Sequence, residues 1–473
     1  MTAEKPPLPL VIALAPVAAL FGAIVLGVST LGFSGDILLA SILFAAVVAG
    51  FVAAARGATW DDLQRAAGRR IADALPAILI LLSIGALLGS WMFSGTIPLM
   101  VALGIDLINP RYMALTAFVA TGLMSIISGT SWGSAGTVGV AMMGAAEAMG
   151  LPLAPVAGAV VSGAYFGDKL SPISDMTNIA AIGAGAELYA HVRSMLATSI
   201  PPALIAIAVY AVLGAGSAQA DPSPPAAGDI REALSAIYNL SALAALPLAV
   251  AIGGIAFRKP AALVILASSI LALILGIFLQ GFSAAAAVST FASGFDAETA
   301  ARAPVGEAAE RLLNRGGLNS MAPTLMFVIA AFVLAAAMEV SGALDRLLQT
   351  LLASARSAFG LVAATLAAGA TMVGLTSHGG VTALIVGGLF RDAYAARGLA
   401  PENLSRTIED SATVTEPLMP WTVSALFMAA TLGVATMDYA PWAVFCYLGP
   451  VSSLLLAALF EATGRGMKKA RRE

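Results

Sequence analysis

Acidic and hydroxyl side chains interrupt an otherwise apolar stretch in the first half of this sequence. Asp168 and Asp175 lie seven residues apart there, with Pro172 between them. Proline removes a backbone donor and disfavours helical geometry at Ser171, so an unwound stretch can bring both carboxylates toward one point. The hydroxyls of Ser171 and Ser174 add hard oxygen ligands, which a small hard cation prefers. The spacing therefore predicts a cation site that can also take up a proton.

Acidic residues within an apolar span point to function in their own right. A charge at membrane depth costs at least about 2.5 kcal/mol, so it persists where it has a partner or a water-filled cavity. For Asp168 the alternative to a cation ligand is a buried salt bridge with Lys169, and for Asp175 it is a helix cap. Three roles are open to Lys169: balancing the charge of an empty site, binding a substrate carboxylate, or extending to the cytoplasmic side.

A second acidic cluster precedes a proline in the other half of the chain. Glu409, Asp410 and Glu416 lie within an apolar run that Pro417 interrupts, and this proline disfavours helix at the residue before it. The two breaks are chemically similar, so at least one of these three carboxylates is expected in the same site. Asp410, Thr413 and Glu416 are the second-half candidates for binding the cation or the proton.

Clusters of Gly, Ser and Thr divide two further apolar segments, near 111–148 and 357–394. Half of either segment is too short to cross a bilayer, so each segment predicts a re-entrant helical hairpin. Helix ends at a hairpin tip offer carbonyl oxygens to a cation or amides to an anion, and serine there also commonly caps a helix. A histidine at a tip either carries a proton or is simply hydrogen-bonded. The expected tip residues are Thr130 and Ser131 in the first hairpin, and Thr376, Ser377 and His378 in the second.

The elements that carry these residues have the composition of a membrane protein. Charged residues make up 11% of the 473 residues, against about 25% in soluble domains, and the mean hydropathy is +0.91. The fold class is therefore predicted to be all-α and polytopic. The spans 152–183 and 403–435 contain acidic residues and proline near their middles and are predicted to be broken helices. Apolar runs predict about ten transmembrane helices, near 8–31, 37–55, 72–93, 152–183, 196–215, 241–257, 261–280, 320–340, 403–435 and 441–462.

The basic residues indicate how the chain is oriented. If the N-terminus is cytoplasmic, most of the 24 Lys and Arg residues fall in inside loops. This positive-inside bias predicts an integral membrane protein with both termini in the cytoplasm. Glu147, Glu187, Glu339 and His191 lie near the predicted interfaces, where we expect them to be solvated.

The second half of the chain repeats the order of features in the first. A Ser-Gly pair, a short amphipathic stretch, a hairpin and a broken helix occur in both halves at nearly constant offsets. Because each half has an odd number of crossings, the second half enters the membrane in the opposite orientation. The sequence thus predicts two inverted-topology repeats, 1–215 and 241–473, joined by an external linker at 216–240. Such repeats with broken helices are typical of secondary transporters whose site lies near the midplane.

Several motifs occur in a characteristic order and spacing: WMFSGTIP at 91–98, GTSWG at 129–133, GAYFGDKLSPISD at 163–175, and the segments 404–406 and 409–421. Together they resemble the NhaC family of Na+/H+ antiporters over nearly the whole chain, with departures at Glu416 and Thr422. The resemblance implies exchange of Na+ for H+ in a bacterial cytoplasmic membrane, with Na+ at Asp168 and Asp175. It also implies paired hairpins, a homodimer and an elevator-like movement, with no cofactor besides the transported ions.

A coupled transporter of another solute is the main alternative. Na+ or H+ would then drive a small organic acid or amino acid, whose carboxylate would be held by Lys169 or by the amides of a hairpin tip. An enzyme is not predicted, since no nucleophile–base–orienter set is visible. The few basic residues form no nucleic-acid patch, and the single cysteine, Cys446, excludes a disulfide framework. The expected partners are the lipid bilayer, Na+ and H+, and a second copy of the chain.

Overall fold

The computed structural model describes residues 8–32, 34–216, 225–297 and 313–470. Within these ranges the elements are helices, apart from one isolated β-bridge between Leu399 and Lys469. By length and composition, nine of the described helices can cross a membrane, or up to eleven if each bent pair counts as one span. The predicted all-α polytopic class is confirmed, and the predicted number of crossings falls within this range.

Two apolar helices and an amphipathic one open the described chain. α1 (Leu10–Leu31) and α2 (Gly35–Ala55) pack side by side and expose large apolar side chains such as Val11 and Phe51, as lipid-facing helices do. α3 (Trp60–Asp73) begins with a capping box and acidic residues in its first turn, which favour a helix start there. The next helices are α4 (Leu75–Phe93) and α5 (Thr96–Leu107).

The first predicted hairpin consists of two helices joined at a left-handed glycine. α6 (Met113–Ser128) ends at Gly129, whose φ is 67°, and Thr130 caps the next helix, α7 (131–148). A π-helical turn at Ala135–Gly139 lies within α7. Together with the 3-10 turn before it, α6 is 19 residues long and apolar enough to cross a membrane. The expectation that half of this segment is too short to cross is therefore wrong for the first arm.

The first predicted broken helix is broken at the proline. α8 (Leu153–Leu170) ends two residues before Pro172, and Ser174 caps α9 (Asp175–Ala184). Ser171 has the extended conformation, with φ −84° and ψ 118°, that a residue before proline favours. The interruption predicted from the sequence is thus present, and it brings polar side chains together with backbone groups that lie outside a regular helix.

Glycines let α8 approach α6 closely. A Cβ at Gly163 or Gly167 would collide with backbone carbonyl oxygens of α6, those of Phe118 and Gly122 respectively. Small residues at such positions allow helix backbones to come into contact. This contact fixes the C-terminal end of α8, which carries Asp168, against the first hairpin.

The second half contains the same kinds of element. α11 (Pro225–Ile237) lies within the predicted linker 216–240, of which residues 217–224 fall outside the described ranges. α17 (Ala358–Thr376), the first arm of the second hairpin, is also 19 residues long and apolar enough to cross, so the short-half expectation is wrong here too. After α10 (Leu188–Gly216), the helices are α11 (Pro225–Ile237), α12 (Leu246–Ala256), α13 (Ala261–Gln280), α14 (Ala284–Ser293), α15 (Ala322–Val340), α16 (Ala343–Ser354), α17 (Ala358–Thr376), α18 (Gly379–Ala396), α19 (Pro401–Ile408), α20 (Val423–Leu432) and α21 (Val444–Thr463).

The second broken helix changes from α-helical to π-helical geometry before it is interrupted. α19 continues into a π-helical turn at Glu409–Thr413, which is followed by a 3-10 turn at Glu416–Leu418. Thr422 then caps α20. Pro417 lies in the 3-10 turn, so the predicted interruption is present. π turns are rare and occur frequently at functional sites.

The buried cores combine helices from both halves of the chain. One large apolar cluster joins α4, the first hairpin and α8 to residues of α13 and α21, such as Ile265 and Phe445. The other joins α1 and α2 to α15, α17 and α18, with Ile42 and Phe390 among its members. Correspondingly, α13 packs on α4 and α2 packs on α15. The first hairpin thus packs in the first cluster and the second hairpin in the second.

Candidate functional site

One cavity of about 470 Å³ lies where the helix breaks and the hairpin tips meet. Its lining includes residues from both helix breaks and both hairpin tips, and most of the residues singled out in the sequence are among them. They are Asp168, Ser174 and Asp175 from the first break, Thr413 and Glu416 from the second, Thr130 and Ser131 from the first tip, and Ser377 and His378 from the second tip.

Asp168 occupies the buried part of this cavity. Its carboxyl group faces the hydroxyls of Ser131 and Ser174 and the backbone amide of Ser131, and the residue is 4% exposed. The amide belongs to the first turn of α7, where a helix carries partial positive charge. Asp168 makes no ion pair with any described residue, and the salt bridge to Lys169 considered from the sequence does not form. The three side chains present a cluster of hard oxygens toward one space.

Glu416 is a second buried carboxyl in the cavity. Its side chain faces the backbone amides of Gly379 and Ser424 and the Ser424 hydroxyl. Gly379 is the first residue of α18 and Ser424 the second of α20, so two helix N-termini point at this carboxyl. Helix N-termini stabilise negative charge, which offsets part of the cost of burying Glu416.

The cavity opens beside Asp73 and Asp175, whose side chains are exposed. Asp73 is the last residue of α3, so the opening lies at the end of that amphipathic helix. Asp175 was also a candidate helix cap, but the Ser174 hydroxyl takes this role by accepting from the Thr177 amide at 3.4 Å. The Asp175 carboxylate is therefore free to face the cavity.

Lys169 and Asp410 form a buried ion pair outside the cavity wall. Neither side chain is exposed, and the Ser453 hydroxyl donates a 2.6 Å hydrogen bond to the other oxygen of Asp410. Lys169 does not extend toward an aqueous surface, and its charge is balanced by Asp410. The structure thus separates Asp168 and Asp410, which the sequence had placed in one site.

Two further predicted residues are hydrogen-bonded elsewhere. The Ser171 hydroxyl donates to the Ile126 carbonyl oxygen at 2.9 Å. The Thr376 hydroxyl lies 3.2 Å from that of Thr382. Both side chains are buried, and neither lines the cavity.

Thr130 and His378 cap helices and line the cavity at the same time. Thr130 Oγ1 accepts from the Gly133 amide at 3.2 Å, and His378 Nδ1 accepts from the Val381 amide at 3.3 Å. Ser377 joins the arms of the second hairpin in a left-handed conformation, with φ 53°. Capping the second arm was the alternative for Ser131 and Ser377, but Thr130 and His378 occupy the N-cap positions instead.

Among the lining residues that were not singled out from the sequence, four carry acidic, hydroxyl or amide groups: Asp73, Tyr165, Asn178 and Ser424. Tyr165 precedes Asp168 by three residues on α8, and this spacing puts two side chains on one helix face. Its buried hydroxyl has no hydrogen-bond partner among the described residues. Ser424 gave no signal because its place depends on how α20 meets Glu416. Asp73 could not be distinguished from the other charged residues of the amphipathic helix α3.

The expectation that His191 is solvated is wrong. The side chain is fully buried, 4.0 Å from the Glu409 carboxyl, because α10 begins before the apolar run that marked its start in the sequence. Among the acidic residues predicted to be solvated, Glu187 accepts amides at the start of α10. Glu147 pairs with Arg315, and Glu339 pairs with Arg70.

The described part of the chain has no cluster of residues of the kind that holds a permanently bound metal ion. No group of three or more His, Cys, Asp or Glu side chains in these ranges is placed to hold a metal ion. A cation in the cavity would instead be held by a carboxylate together with hydroxyl oxygens. Such ligands suit an ion that must also leave.

This fold and site define a helical membrane transporter, a class in which broken helices and half-helix ends form the substrate site. Residues 163–459 match the model of the Na+/H+ antiporter family. The chain belongs to this family, and the resemblance to NhaC inferred from its motifs is confirmed by relatives of that name.

Three relatives illustrate the range of activities named for similar chains. An uncharacterized Na+/H+ antiporter of Haemophilus influenzae is 41% identical over 91% of this chain and 92% of its own length. The Na+/H+ antiporter NhaC of Alkalihalophilus pseudofirmus is 35% identical over 86% of this chain and 87% of its own. The malate-2H+/Na+-lactate antiporter of Bacillus subtilis is 33% identical over 86% of each chain.

Proposed function

We propose that this protein exchanges Na+ for H+ across the bacterial cytoplasmic membrane, and that Asp168 holds either ion. The observation that carries the proposal is that Asp168 is buried at the cavity without a basic partner among the described residues. A buried carboxylate requires a counter-charge or a proton. Asp410, by contrast, already has Lys169 as its counter-charge.

Competition at one carboxyl couples the two ions. Na+ binds the Asp168 carboxylate and the hydroxyl oxygens of Ser131 and Ser174, and protonation removes the charge that holds it there. The site is neutral with either ion bound. An empty, ionised site leaves a buried uncompensated charge, which is strongly unfavourable. Movement across the membrane is therefore confined to loaded states, and exchange follows without a separate coupling device.

Glu416 and Asp175 bear on how many protons are exchanged. If Glu416 also releases a proton when Na+ binds, each cycle exchanges two H+ for one Na+; if it does not, the exchange is one for one. Moving one net charge is worth about 2.3 kcal/mol per 100 mV, so the reversal potential separates these cycles. Asp175, at the exposed end of the cavity, attracts the entering cation.

The moving unit is proposed to consist of the hairpins and the broken helices. The supporting feature is the order of elements, which is the same in 75–216 and 322–463: a long helix, a short helix, two hairpin arms, a broken helix and a long helix. The spans at 8–55 and 241–280 would form the scaffold of a homodimer. The two halves of the chain would be inverted repeats of each other. Cross-linking in native membranes tests the dimer, and detection of monomers alone would contradict it.

The antiport activity is tested in proteoliposomes loaded with Na+, by following internal pH after dilution into Na+-free buffer. We expect wild-type protein to acidify the interior, because Na+ leaves in exchange for H+. Asp168→Asn, which can hold neither a proton nor a cation by charge, should fall to the rate of protein-free liposomes. Asp438→Asn is the matched control, since Asp438 is an exposed carboxyl. Wild-type exchange by Asp168→Asn would refute the assignment.

Coupled transport of a small organic acid or amino acid is the second candidate. This candidate is supported by two relatives, which are named as a malate-2H+/Na+-lactate antiporter and an arginine/ornithine antiporter. Lys169 is engaged by Asp410, so the amides at the hairpin tips are the groups left for a substrate carboxylate. Thermal stabilisation in detergent by a panel of such solutes, at constant Na+, distinguishes the candidates. Stabilisation by a solute would favour the second one.

A further inference from the structure

A second buried polar cluster lies behind the cavity, centred on Glu409 and His191. The residues come from the π turn after α19 and from the first turn of α10, and neither is exposed. His191 Nε2 lies 4.0 Å from Glu409 Oε1. This separation is too long for a direct hydrogen bond and is one that a single water can bridge.

The polar atoms of both side chains lack hydrogen-bond partners in the described part of the chain. This holds for both carboxyl oxygens of Glu409 and for both ring nitrogens of His191. Buried polar side chains are nearly always hydrogen-bonded, and exceptions call for water, an ion or a functional role. Two unpartnered side chains that face each other thus indicate a functional pair.

The pair connects the cavity to the beginning of α10. Thr413 lines the cavity and its hydroxyl lies next to the Glu409 carboxyl, again without a hydrogen-bond partner of standard geometry. On the other side, the His191 amide bonds to Glu187 one turn earlier, where the neighbouring Tyr189 is 69% exposed. Thr413, Glu409 and His191 therefore form a row of polar side chains that leads from the cavity wall toward an exposed helix end.

The charges around the pair are nearly balanced. Lys169, Asp168 and Asp410 face Glu409, and Lys169 and Arg406 face His191. Lys169 and Asp410 neutralise each other. Arg406 is buried, donates to the Ser194 hydroxyl at 3.0 Å, and has Asp410, Tyr394 and Glu402 as its charged or ionisable neighbours.

We propose that Glu409 and His191 form a proton-carrying site that moves protons between the cavity and the beginning of α10, apart from the opening used by Na+. The inference rests on the proposed exchange of Na+ for H+ and supplies its proton route. The Glu409 carboxylic acid passes its proton through one water to Nε2 of His191. The proton on Nδ1 then leaves to water, so the ring is neutral with its remaining proton on Nε2. A tautomer shift through water returns that proton to Nδ1 and frees Nε2, and the carboxylate takes the next proton from the cavity.

The transport test compares Glu409→Gln and His191→Gln with Glu402→Gln. Glu402 lies on α19, the helix that continues into the π turn at Glu409, but it pairs with Lys468 at 3.4 Å. Glu402→Gln therefore controls for the loss of a carboxylate. We expect both test variants to bind Na+ with wild-type affinity in detergent while their exchange rate falls by about tenfold or more, as for loss of a positioned proton-transfer group. The control should exchange at the wild-type rate.

Either test variant with a wild-type exchange rate would overturn the proposal. Loss of Na+ binding by folded Glu409→Gln would also overturn it, because the carboxyl would then belong to the cation site. If Glu409→Gln does not fold, His191→Gln carries the same comparison, since it leaves the carboxylate in place.

An infrared measurement keeps the test independent of transport. Purified wild-type protein without Na+ should show a protonated carboxylic acid band that Glu409→Gln lacks and Asp168→Asn retains. An unchanged spectrum for Glu409→Gln would overturn the proposal even if antiport is demonstrated. Conversely, failure of wild-type protein to exchange Na+ for H+ would reject the proposed function, while the band would still decide whether Glu409 holds a proton.

Discussion

Asp168 and Asp410 are the same residue type at comparable helix breaks, but their neighbours differ. Asp410 is held by Lys169 and Ser453, so it is neutralised within the protein. Asp168 faces hydroxyls and an amide, so its charge must be met by an ion from outside. Under the proposed exchange, the distribution of partners rather than residue type distinguishes the carboxyl that binds ions from the one that is structural.

The buried ion pair gives the first prediction at the residue scale. Lys169→Met leaves Asp410 as an unpaired buried charge, which typically costs about 3–5 kcal/mol. We expect a large fall in the thermal unfolding temperature of the protein in detergent. Lys169→Met combined with Asp410→Asn removes both charges and should recover most of the loss. A single variant as stable as wild type would contradict the buried pair.

At the residue scale, the sequence predicts which side chains line the cavity better than it predicts the partners of those side chains. Asp168, Ser174 and four of the five predicted tip residues line the cavity, because a carboxyl or a break in an apolar span is visible locally. The pairing of Lys169 with Asp410 joins positions 241 residues apart and depends on how α8 packs against the second half. The burial of His191 was missed for a similar reason, since neighbouring helices enclose it.

The helix breaks place the site at the scale of elements. Proline explains both interruptions, and it could be read from the sequence at 172 and 417. The π turn at Glu409–Thr413 has no comparable signal in residue type. The lengths of α6 and α17 were underestimated, because the clusters of small residues that mark the tips also begin within the first arms.

Packing of α8 on α6 gives a prediction at the element scale. A Cβ at Gly167 would collide with the backbone of α6, so Gly167→Ala should destabilise the protein by about 1–3 kcal/mol, as overpacking does. Gly50→Ala in α2 is the matched control, since nothing lies within 4 Å of its Cβ. Alanine is favoured over glycine within a helix by roughly 0.5–1 kcal/mol.

Thermal unfolding in detergent measures both glycine variants. The packing account expects a lower unfolding temperature for Gly167→Ala and an equal or higher one for Gly50→Ala. If Gly167→Ala is as stable as wild type, the close approach of α8 to α6 is not what positions Asp168.

The position of the cavity opening is a property of the whole molecule. The positive-inside prediction places α3 on the cytoplasmic side, and the opening lies at the end of α3. The structure would then represent a state in which the cation site is open to the cytoplasm.

Cysteine labelling tests this orientation. The native Cys446 is buried, so background reaction with a membrane-impermeant maleimide should be low. Asp73→Cys should react from the cytoplasmic face of oriented membranes, and Asn109→Cys, an exposed position predicted to lie outside, from the opposite face. Labelling of Asp73→Cys from outside would reverse the proposed orientation.

Competition between Na+ and H+ at Asp168 is measured most directly by the Na+ affinity of the purified protein as a function of pH. If the two ions exclude each other at one carboxyl, the apparent dissociation constant rises about tenfold for each pH unit below the pKa of that carboxyl. Asp168→Asn should bind Na+ far more weakly and without this slope. Na+ affinity that does not change with pH, or wild-type affinity in Asp168→Asn, would contradict the account.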